Sequence, residues 1–211
     1  GVALAVEGWQ GYFPLAHPGG GNFDEKVFKR QLQKILDLPC DKIFHNAIYD
    51  VGWLSAMGLE VKGRICDTMI AAPLIDENKR NYSLKEIAQE YVGETKSEAG
   101  LYEAAKDFGV DAKAEMHLLP AMYVGPYAEQ DAAVTLKLWN ALKVEILAPL
   151  SIAKAFDKLK ISYNRTPTGL PSFDKNFLST HSHSFAKQIV EAREINKAYT
   201  TFIDSILKHS H

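Results

Sequence analysis

The chain has 211 residues, enough for one large domain or for one domain and part of another. Hydrophobic residues make up 46% and charged residues 24%, which is typical of a soluble globular protein and excludes a disordered or fibrous one. The net charge of −2 gives no overall attraction to a polyanion, so a nucleic-acid partner would need a local patch or metal ions. No apolar run reaches the ~20 residues of a membrane span, and we expect a cytoplasmic protein without a membrane partner.

Two cysteines, Cys40 and Cys66, are present. Neither has a second cysteine or a histidine at the spacing of zinc ligands, and the pair does not fit a disulfide framework. We therefore expect two reduced thiols.

The first two thirds of the chain predict alternating strands and helices. The apolar residues 1–6 and 12–15 predict a hairpin, with its turn over residues 7–11. Apolar residues at helical spacing, N-cap residues and terminating glycines or prolines mark the elements that follow. In chain order these are a helix capped by Asp24, a buried strand over 42–45, a helix that ends at Gly58, a strand over 61–65, a helix over 68–74 capped by Asp67, a helix with a capping box of Ser83 and Glu86, a helix over 101–108, and a long helix from Pro126 to Leu147.

After Pro149 the pattern changes, because no further strand is predicted. The predicted helices cover residues 151–160, 172–179 and 184–207. Strands that alternate with helices predict an α/β layer structure for residues 1–148, whereas residues 151–211 predict an all-helical segment.

Two pairs of polar residues could carry chemistry. Asn46 and Asp50 are four residues apart, as are Tyr127 and Asp131, so each pair lies on one face of a helix. Carboxylates brought together from distant elements can bind Mg²⁺ or Mn²⁺, which stabilise the attacking and leaving oxygens of a phosphoryl transfer. On spacing alone, the alternative interpretation is that these residues are helix caps or solvated side chains.

Four stretches stand in a specific order along the chain. They are residues 43–50 (IFHNAIYD), residues 66–69 (CDTM), the helix begun by Ser83 and Leu84, and residues 127–136 (YAEQDAAVTL). In this order, over residues 1–147, they resemble the 3′→5′ proofreading exonuclease domain of family A DNA polymerases. The resemblance implies a ribonuclease H-like fold and the removal of mispaired 3′ nucleotides with two Mg²⁺ or Mn²⁺ ions.

The resemblance also implies a role for each matched residue. Asp50 and Asp131 match metal ligands of the second and third motifs of the family. Tyr127 matches the phenol that positions the attacking water, and Asn46 matches an amide near the scissile nucleotide. Tyr49 matches an aromatic residue that packs on the terminal base, a role that its ring permits.

The last third of the chain resembles the start of the polymerase domain and its thumb. In the family this helical segment grips the primer-template duplex. The residues predicted to contact DNA phosphates are Arg193, Lys197, Thr200 and Thr201. The alternative is that they form a solvated helix face.

Three departures from the family pattern affect the expected activity. The first family motif, Asp-x-Glu, and the central strand that carries it have no counterpart in the chain. The connection between exonuclease and thumb is reduced to residues 148–150, and the polymerase palm and fingers are missing. We therefore predict that the chain comprises segments of a larger polymerase and is inactive alone. A continuous backbone through residues 149–151, together with a complete sheet, would contradict this hypothesis.

The leading functional hypothesis is a DNA-directed DNA polymerase segment whose exonuclease domain hydrolyses the single-stranded 3′ end of DNA. It would act in the cytoplasm, or in the host cytoplasm if encoded by a phage. One alternative is a catalytically inactive exonuclease-fold module that binds DNA or a partner. A stand-alone RNA-processing exonuclease is a third hypothesis, which the thumb-like segment disfavours.

Overall fold

The structure is a computed structural model that describes residues 1–94, 98–194 and 197. Strands and helices alternate along the first part of the chain. The chain divides into two units, Gly1–Lys143 and Val144–His211. The elements that begin in the first unit are β1 (Val2–Val6), β2 (Trp9–Phe13), α1 (Glu25–Leu36), β3 (Lys42–Phe44), α2 (Ala47–Ala56), β4 (Ile65–Asp67), α3 (Thr68–Ile75), α4 (Leu84–Val92), α5 (Ala99–Phe108), a 3₁₀ turn (Met116–Leu118) and α6 (Ala121–Ile146).

Strands β1 and β2 form an antiparallel hairpin with a tighter turn than predicted. Val6 pairs with Trp9, so the turn has only Glu7 and Gly8 at its centre. Gly8 has a φ of +78°, a backbone conformation that glycine adopts without a steric penalty. The predicted turn over residues 7–11 was therefore too long, because residues 9–11 already belong to β2.

Helix α1 covers the apolar side of this hairpin. Asp24 caps it as predicted, since its side chain accepts a hydrogen bond of 2.8 Å from the backbone N–H of Val27. Phe28, Leu32 and Leu36 are buried at helical spacing and form the core of this part of the unit. The hairpin residues packed against this core are Val2, Leu4 and Phe13.

Strands β3 and β4 are parallel, with Phe44 opposite Asp67. The predicted strand over 61–65 begins only at Ile65. Gly63 explains the difference, because its φ of +87° is incompatible with a strand. In addition, a Cβ added at this position would lie only 2.9 Å from the carbonyl oxygen of Cys40. The prediction of a strand in this region was therefore right, but its bounds were wrong.

The described residues contain three separate two-stranded sheets, and the β1–β2 hairpin is not hydrogen-bonded to the β3–β4 pair. Strands with intervening helices confirm the α/β class of the first unit. The finer assignment, a ribonuclease H-like fold, stays a prediction. Within the described ranges, no helix is long and apolar enough to cross a membrane.

Two helix starts differ from prediction. The Ser83 side chain makes no cap hydrogen bond, so the predicted capping box is absent, and the Asn81 side chain accepts from the Ser83 N–H at 2.9 Å instead. Helix α6 begins at Ala121 and contains Pro126. Pro126 has no N–H and therefore leaves the carbonyl of Met122, four residues earlier, without its usual helical donor.

The second unit is built around the buried ring of Phe156. Its described elements are α7 (Pro149–Lys158), β5 (Asn164–Arg165), β6 (Pro171–Ser172), α8 (Lys175–Thr180) and the helical residues 184–194. Phe173 packs on Phe156 with ring centroids 5.0 Å apart, and Leu178 and Ile189 complete the core.

Two predictions for this unit were wrong. Strands β5 and β6 pair antiparallel, so the segment is not all-helical. A helix predicted from residue 172 begins at Lys175, because Asp174 is its N-cap and accepts from the Phe177 N–H at 2.8 Å. Residues 149–151 form the first turn of α7, with Pro149 at its start. The predicted helix beyond residue 194 lies outside the described residues, apart from position 197.

Candidate active site

Asp67 joins the starts of two helices at the carboxyl ends of β3 and β4. Its Oδ2 accepts from the Ala47 N–H at 2.8 Å, and its Oδ1 accepts from the N–H groups of Asn46 at 3.1 Å and Met69 at 2.8 Å. The predicted cap of α3 is confirmed. Sequence reasoning missed that the same carboxylate also holds the start of α2, because residues 46 and 67 are distant along the chain.

Asn46 adopts a left-handed backbone conformation, with φ 70° and ψ 59°. Asparagine tolerates this conformation better than other residues with a side chain. The conformation turns the chain from β3 into α2 and places Asp50 in the first turn of that helix. The Asn46 side chain makes no cap hydrogen bond, and the residue is exposed. Its predicted role beside a scissile nucleotide stays a prediction.

Asp50 lies where ionisation is unfavourable. Burial, and then the negative charge of Asp67, raise its pKa from the ordinary value of 3.8 to about 6. A carboxylate in such surroundings gains from a bound cation, which would offset both effects. Asp50 is therefore a suitable donor for a divalent metal ion.

Tyr127 and Asp131 interact one turn apart on α6. The negative charge of Asp131 acts on the phenol, and Oδ1 of Asp131 is shielded from solvent. Burial raises the pKa of Tyr127, and the negative charges of Asp131 and Glu98 raise it further. The phenol therefore keeps its proton at neutral pH and acts as a hydrogen-bond donor. Tyr127 also packs against the core formed by Leu101, Leu119 and their buried neighbours.

The carboxylates present are of the type that binds Mg²⁺ or Mn²⁺, yet they do not form a complete ligand set. Among residues 1–94, 98–194 and 197, no group of three or more His, Cys, Asp or Glu side chains is arranged to hold a metal ion. Asp50 and Asp131 could thus supply only part of a metal site.

Two aromatic rings lie exposed beside Asp50 on α2. Tyr49 is 62% exposed and Trp53 is 60% exposed, and their ring centroids are 6.3 Å apart in an edge-to-face arrangement. The sequence singled out Tyr49 but missed Trp53. An aromatic residue four positions after Tyr49 was the signal available, since that spacing places both rings on one helix face.

The predicted phosphate contacts of the second unit have different outcomes. The Arg193 guanidinium donates to the carbonyl oxygens of Phe173 at 2.6 Å and Leu147 at 3.5 Å, an arrangement that occupies it within the unit. Lys197 is exposed. Thr200 and Thr201 lie outside the described residues.

The cysteines play no part in this site. Cys66 is buried in β4 and Cys40 is exposed, and both are free thiols as expected. Burial raises the pKa of Cys66 to about 11, so its thiol stays protonated.

Comparison with known proteins identifies a family model. The model, described as 3′-5′ exonuclease, matches residues 21–147. This range contains α1 to α6 and therefore Asp50, Tyr127 and Asp131.

Curated relatives are DNA polymerases of phages and bacteria. A DNA-directed DNA polymerase of Pseudomonas phage M6 is 28% identical over 278 residues, which covers 99% of this chain and 42% of the relative. DNA polymerase I of Pseudomonas aeruginosa is 29% identical over 170 residues, covering 76% of this chain and 18% of the relative. DNA polymerase DpoZ of Salmonella phage PMBT28 is 34% identical over 108 residues, which covers 48% of this chain and 17% of the relative.

The chain spans less than half the length of each of these relatives. The alignment with the phage M6 polymerase also contains more positions than the chain has residues. At least 67 positions (278 − 211) are therefore filled only in that relative.

Proposed function

Because this chain belongs to the 3′-5′ exonuclease family of family A DNA polymerases, we propose that it is the proofreading part of such a polymerase. Its substrate would be the single-stranded 3′ end of DNA, from which it removes terminal nucleotides. The observation that carries this proposal is a pair of half-buried carboxylates within the matched range. Asp50 lies in the first turn of α2, and Asp131 lies within α6.

Asp50 and Asp131 are the residues that would hold the divalent ions of this site, together with ligands that the described residues do not supply. Bound metal ions of this kind lower the pKa of water and stabilise phosphoryl oxygens. The first contribution of the chain is to fix its own donors. Asp67 holds the backbone of α2 through two N–H groups and thereby positions Asp50 one turn further on.

Tyr127 would orient the attacking water. Its hydroxyl keeps its proton because burial and the charge of Asp131 oppose ionisation. Packing of its ring against the buried core of Leu101 and Leu119 restricts the orientation of the phenol. Tyr49 would pack on the terminal base and Asn46 would lie beside the scissile nucleotide, as the family resemblance implies.

We assign residues 1–148 to an exonuclease domain with a ribonuclease H-like fold and residues 151–211 to a thumb segment that grips primer-template duplex. The missing palm and fingers would be further parts of the same polymerase, in keeping with the greater length of the relatives. The expected site of action is the cytoplasm.

A second candidate function is an inactive exonuclease-fold module that binds DNA or a partner. The lack of a three-ligand group among the described residues favours it. It differs from the first proposal in one measurable respect, since DNA binding would occur without metal-dependent hydrolysis.

The test is an assay of the polymerase that contains this chain on a labelled 3′-mismatched primer-template. Asp50→Asn and Asp131→Asn should each lower the rate of metal-dependent 3′ trimming by about a hundredfold or more, because each removes a charged metal ligand. Asp107→Asn, on the exposed end of α5, is the control and should leave the rate unchanged.

Unchanged trimming in both site variants would contradict the exonuclease proposal. A wild-type protein that binds the primer-template but releases no nucleotides with either Mg²⁺ or Mn²⁺ would support the inactive module instead.

A further inference from the structure

Glu129 lies between Tyr127 and Asp131 in the sequence but on the other side of α6. At 3.6 residues per turn, successive residues are separated by roughly 100°, so Glu129 is roughly 200° from each of the two. Tyr127 and Asp131 are one turn apart and share a face. The carboxylate of Glu129 is therefore directed away from the face that carries the candidate site.

The opposite face of α6 lies against β2. Oε1 of Glu129 accepts a hydrogen bond of 2.9 Å from the backbone N–H of Tyr12. Gly125 is on the same helix face, one turn earlier, and a Cβ at that position would lie 3.4 Å from Cδ1 of Tyr12. The helix backbone thus approaches the strand closely at this point, and Glu129 supplies a polar contact there.

Tyr12 is itself held at its other end. Nδ1 of the buried His17 lies 2.7 Å from the carbonyl oxygen of Leu119, so Nδ1 carries the proton and donates to it. Nε2 of His17 is then the acceptor for the Tyr12 hydroxyl, at 2.6 Å. The amide, ring and hydroxyl of Tyr12 are all engaged, so it offers α6 a fixed point of attachment.

We propose that Glu129 is a positioning residue, which holds the turn of α6 that carries Tyr127 and Asp131 by binding the Tyr12 amide. The proposal rests on the proposed exonuclease function, since it concerns the same site. It assigns Glu129 a role other than that of a third metal ligand, although Glu129 is only two residues from Asp131 in the sequence.

The physical reason for this role is that the Tyr12 N–H lies on the outer edge of the hairpin. β2 pairs with β1 on one side, and the Tyr12 N–H points to Glu129 instead of to that partner. A half-buried N–H that loses its acceptor is costly, so removal of Glu129 favours a shift of the strand or of the helix. Displacements of about 1 Å in a site are enough to weaken its chemistry substantially.

The test uses three variants of the full chain, each of which changes one side chain on α6. Glu129→Ala removes the acceptor, Glu129→Gln keeps an acceptor oxygen but removes the charge, and Gln130→Ala is the matched neighbour control. The readouts on the chain are NMR hydrogen exchange of the Tyr12 amide and the ring shifts of Tyr127. Mn²⁺ affinity is measured by electron paramagnetic resonance on the polymerase that contains the chain.

We expect Glu129→Ala to accelerate exchange of the Tyr12 amide about fivefold or more, to move the Tyr127 ring shifts and to weaken Mn²⁺ binding. Glu129→Gln should restore all three to within about twofold of wild type, because an amide oxygen also accepts from an N–H. Gln130→Ala should match the wild type.

Two outcomes would overturn the proposal. If Glu129→Gln weakens Mn²⁺ binding as much as Glu129→Ala does, the residue is a ligand. If Glu129→Ala leaves the Tyr127 shifts unchanged, the hydrogen bond does not position the site. A wild-type polymerase containing this chain that fails to bind Mn²⁺ at this site would count against the proposed function, while the two NMR readouts would still decide the role of Glu129.

Discussion

At the scale of single residues, acidic side chains of one kind perform different tasks because their surroundings differ. Asp67 accepts three backbone N–H groups and therefore acts as a structural link between α2 and α3. Asp50, in the first turn of α2, receives no such compensation and its pKa rises. A bound metal ion would therefore stabilise the ionised form of Asp50 more than that of Asp67.

The raised pKa of Asp50 predicts a pH-dependent effect on stability. Because the folded-state pKa is about 6 and the ordinary value is 3.8, the folded protein binds this proton more tightly than the unfolded chain. The ionised side chain thus destabilises the fold above pH 6, and this penalty disappears as the pH falls through 6 towards 3.8. Asp50→Asn should stabilise the protein by about 1 kcal/mol at neutral pH, allowing for solvent screening, and have little effect near pH 4.

Urea unfolding at both pH values measures this difference. Asp107→Asn is the control, since the exposed Asp107 should show no such pH dependence. Mg²⁺ should raise the unfolding midpoint of the wild type more than that of Asp50→Asn. A variant that is destabilised at neutral pH would contradict the argument.

At the scale of elements, the start of α2 presents a carboxylate and two aromatic rings together. With roughly 100° between successive residues, Trp53 lies between Tyr49 and Asp50 around the helix axis and one turn further along it. Both rings are largely exposed, and each could stack on an unpaired base. The helix therefore carries the proposed metal ligand and two rings of the kind that stack on unpaired bases.

Trp53→Ala should weaken binding of a short oligothymidine about tenfold, because stacking on one base contributes roughly 1–3 kcal/mol. The dependence of affinity on salt concentration should not change, since no phosphate contact is lost. Fluorescence anisotropy at several salt concentrations measures both quantities.

Trp9→Ala is the matched control for this prediction, because Trp9 is also exposed but lies on the hairpin. The effect of Trp53→Ala should vanish on an oligonucleotide that lacks the 3′-terminal base. Equal losses with and without that base would mean that Trp53 does not stack on it.

At the scale of the whole molecule, the chain consists of two units with separate cores. The proposed thumb contacts in the second unit distinguish two basic residues by their surroundings. Arg193 donates to two backbone carbonyls, whereas Lys197 is exposed.

Arg193→Ala should lower the free energy of unfolding of the second unit by about 2 kcal/mol, because two carbonyls lose a charged donor. Lys197→Ala should leave stability unchanged but lower the salt slope of duplex binding by about one. Thermal unfolding and filter binding over a range of salt concentrations measure these effects. If Lys197→Ala leaves the slope unchanged, Lys197 does not contact a phosphate.

The sequence by itself determined the features that depend on neighbouring residues. Helical spacing and the Asp24 cap predicted α1, because capping and periodicity act over three or four residues. The order of the stretches around Asp50 and Asp131 was enough to indicate the family, which the match over residues 21–147 confirms. The roles of those residues as metal ligands stay a prediction.

Only the tertiary structure decided the features that depend on distant residues. Residues 61–64 form no strand because Gly63 lies against the backbone of Cys40. The sequence also assigns no role to Glu129, two residues before Asp131. Its contact became visible only in the fold, because Tyr12, 117 positions away, provides the amide that Glu129 binds, and no local pattern encodes a contact of that separation.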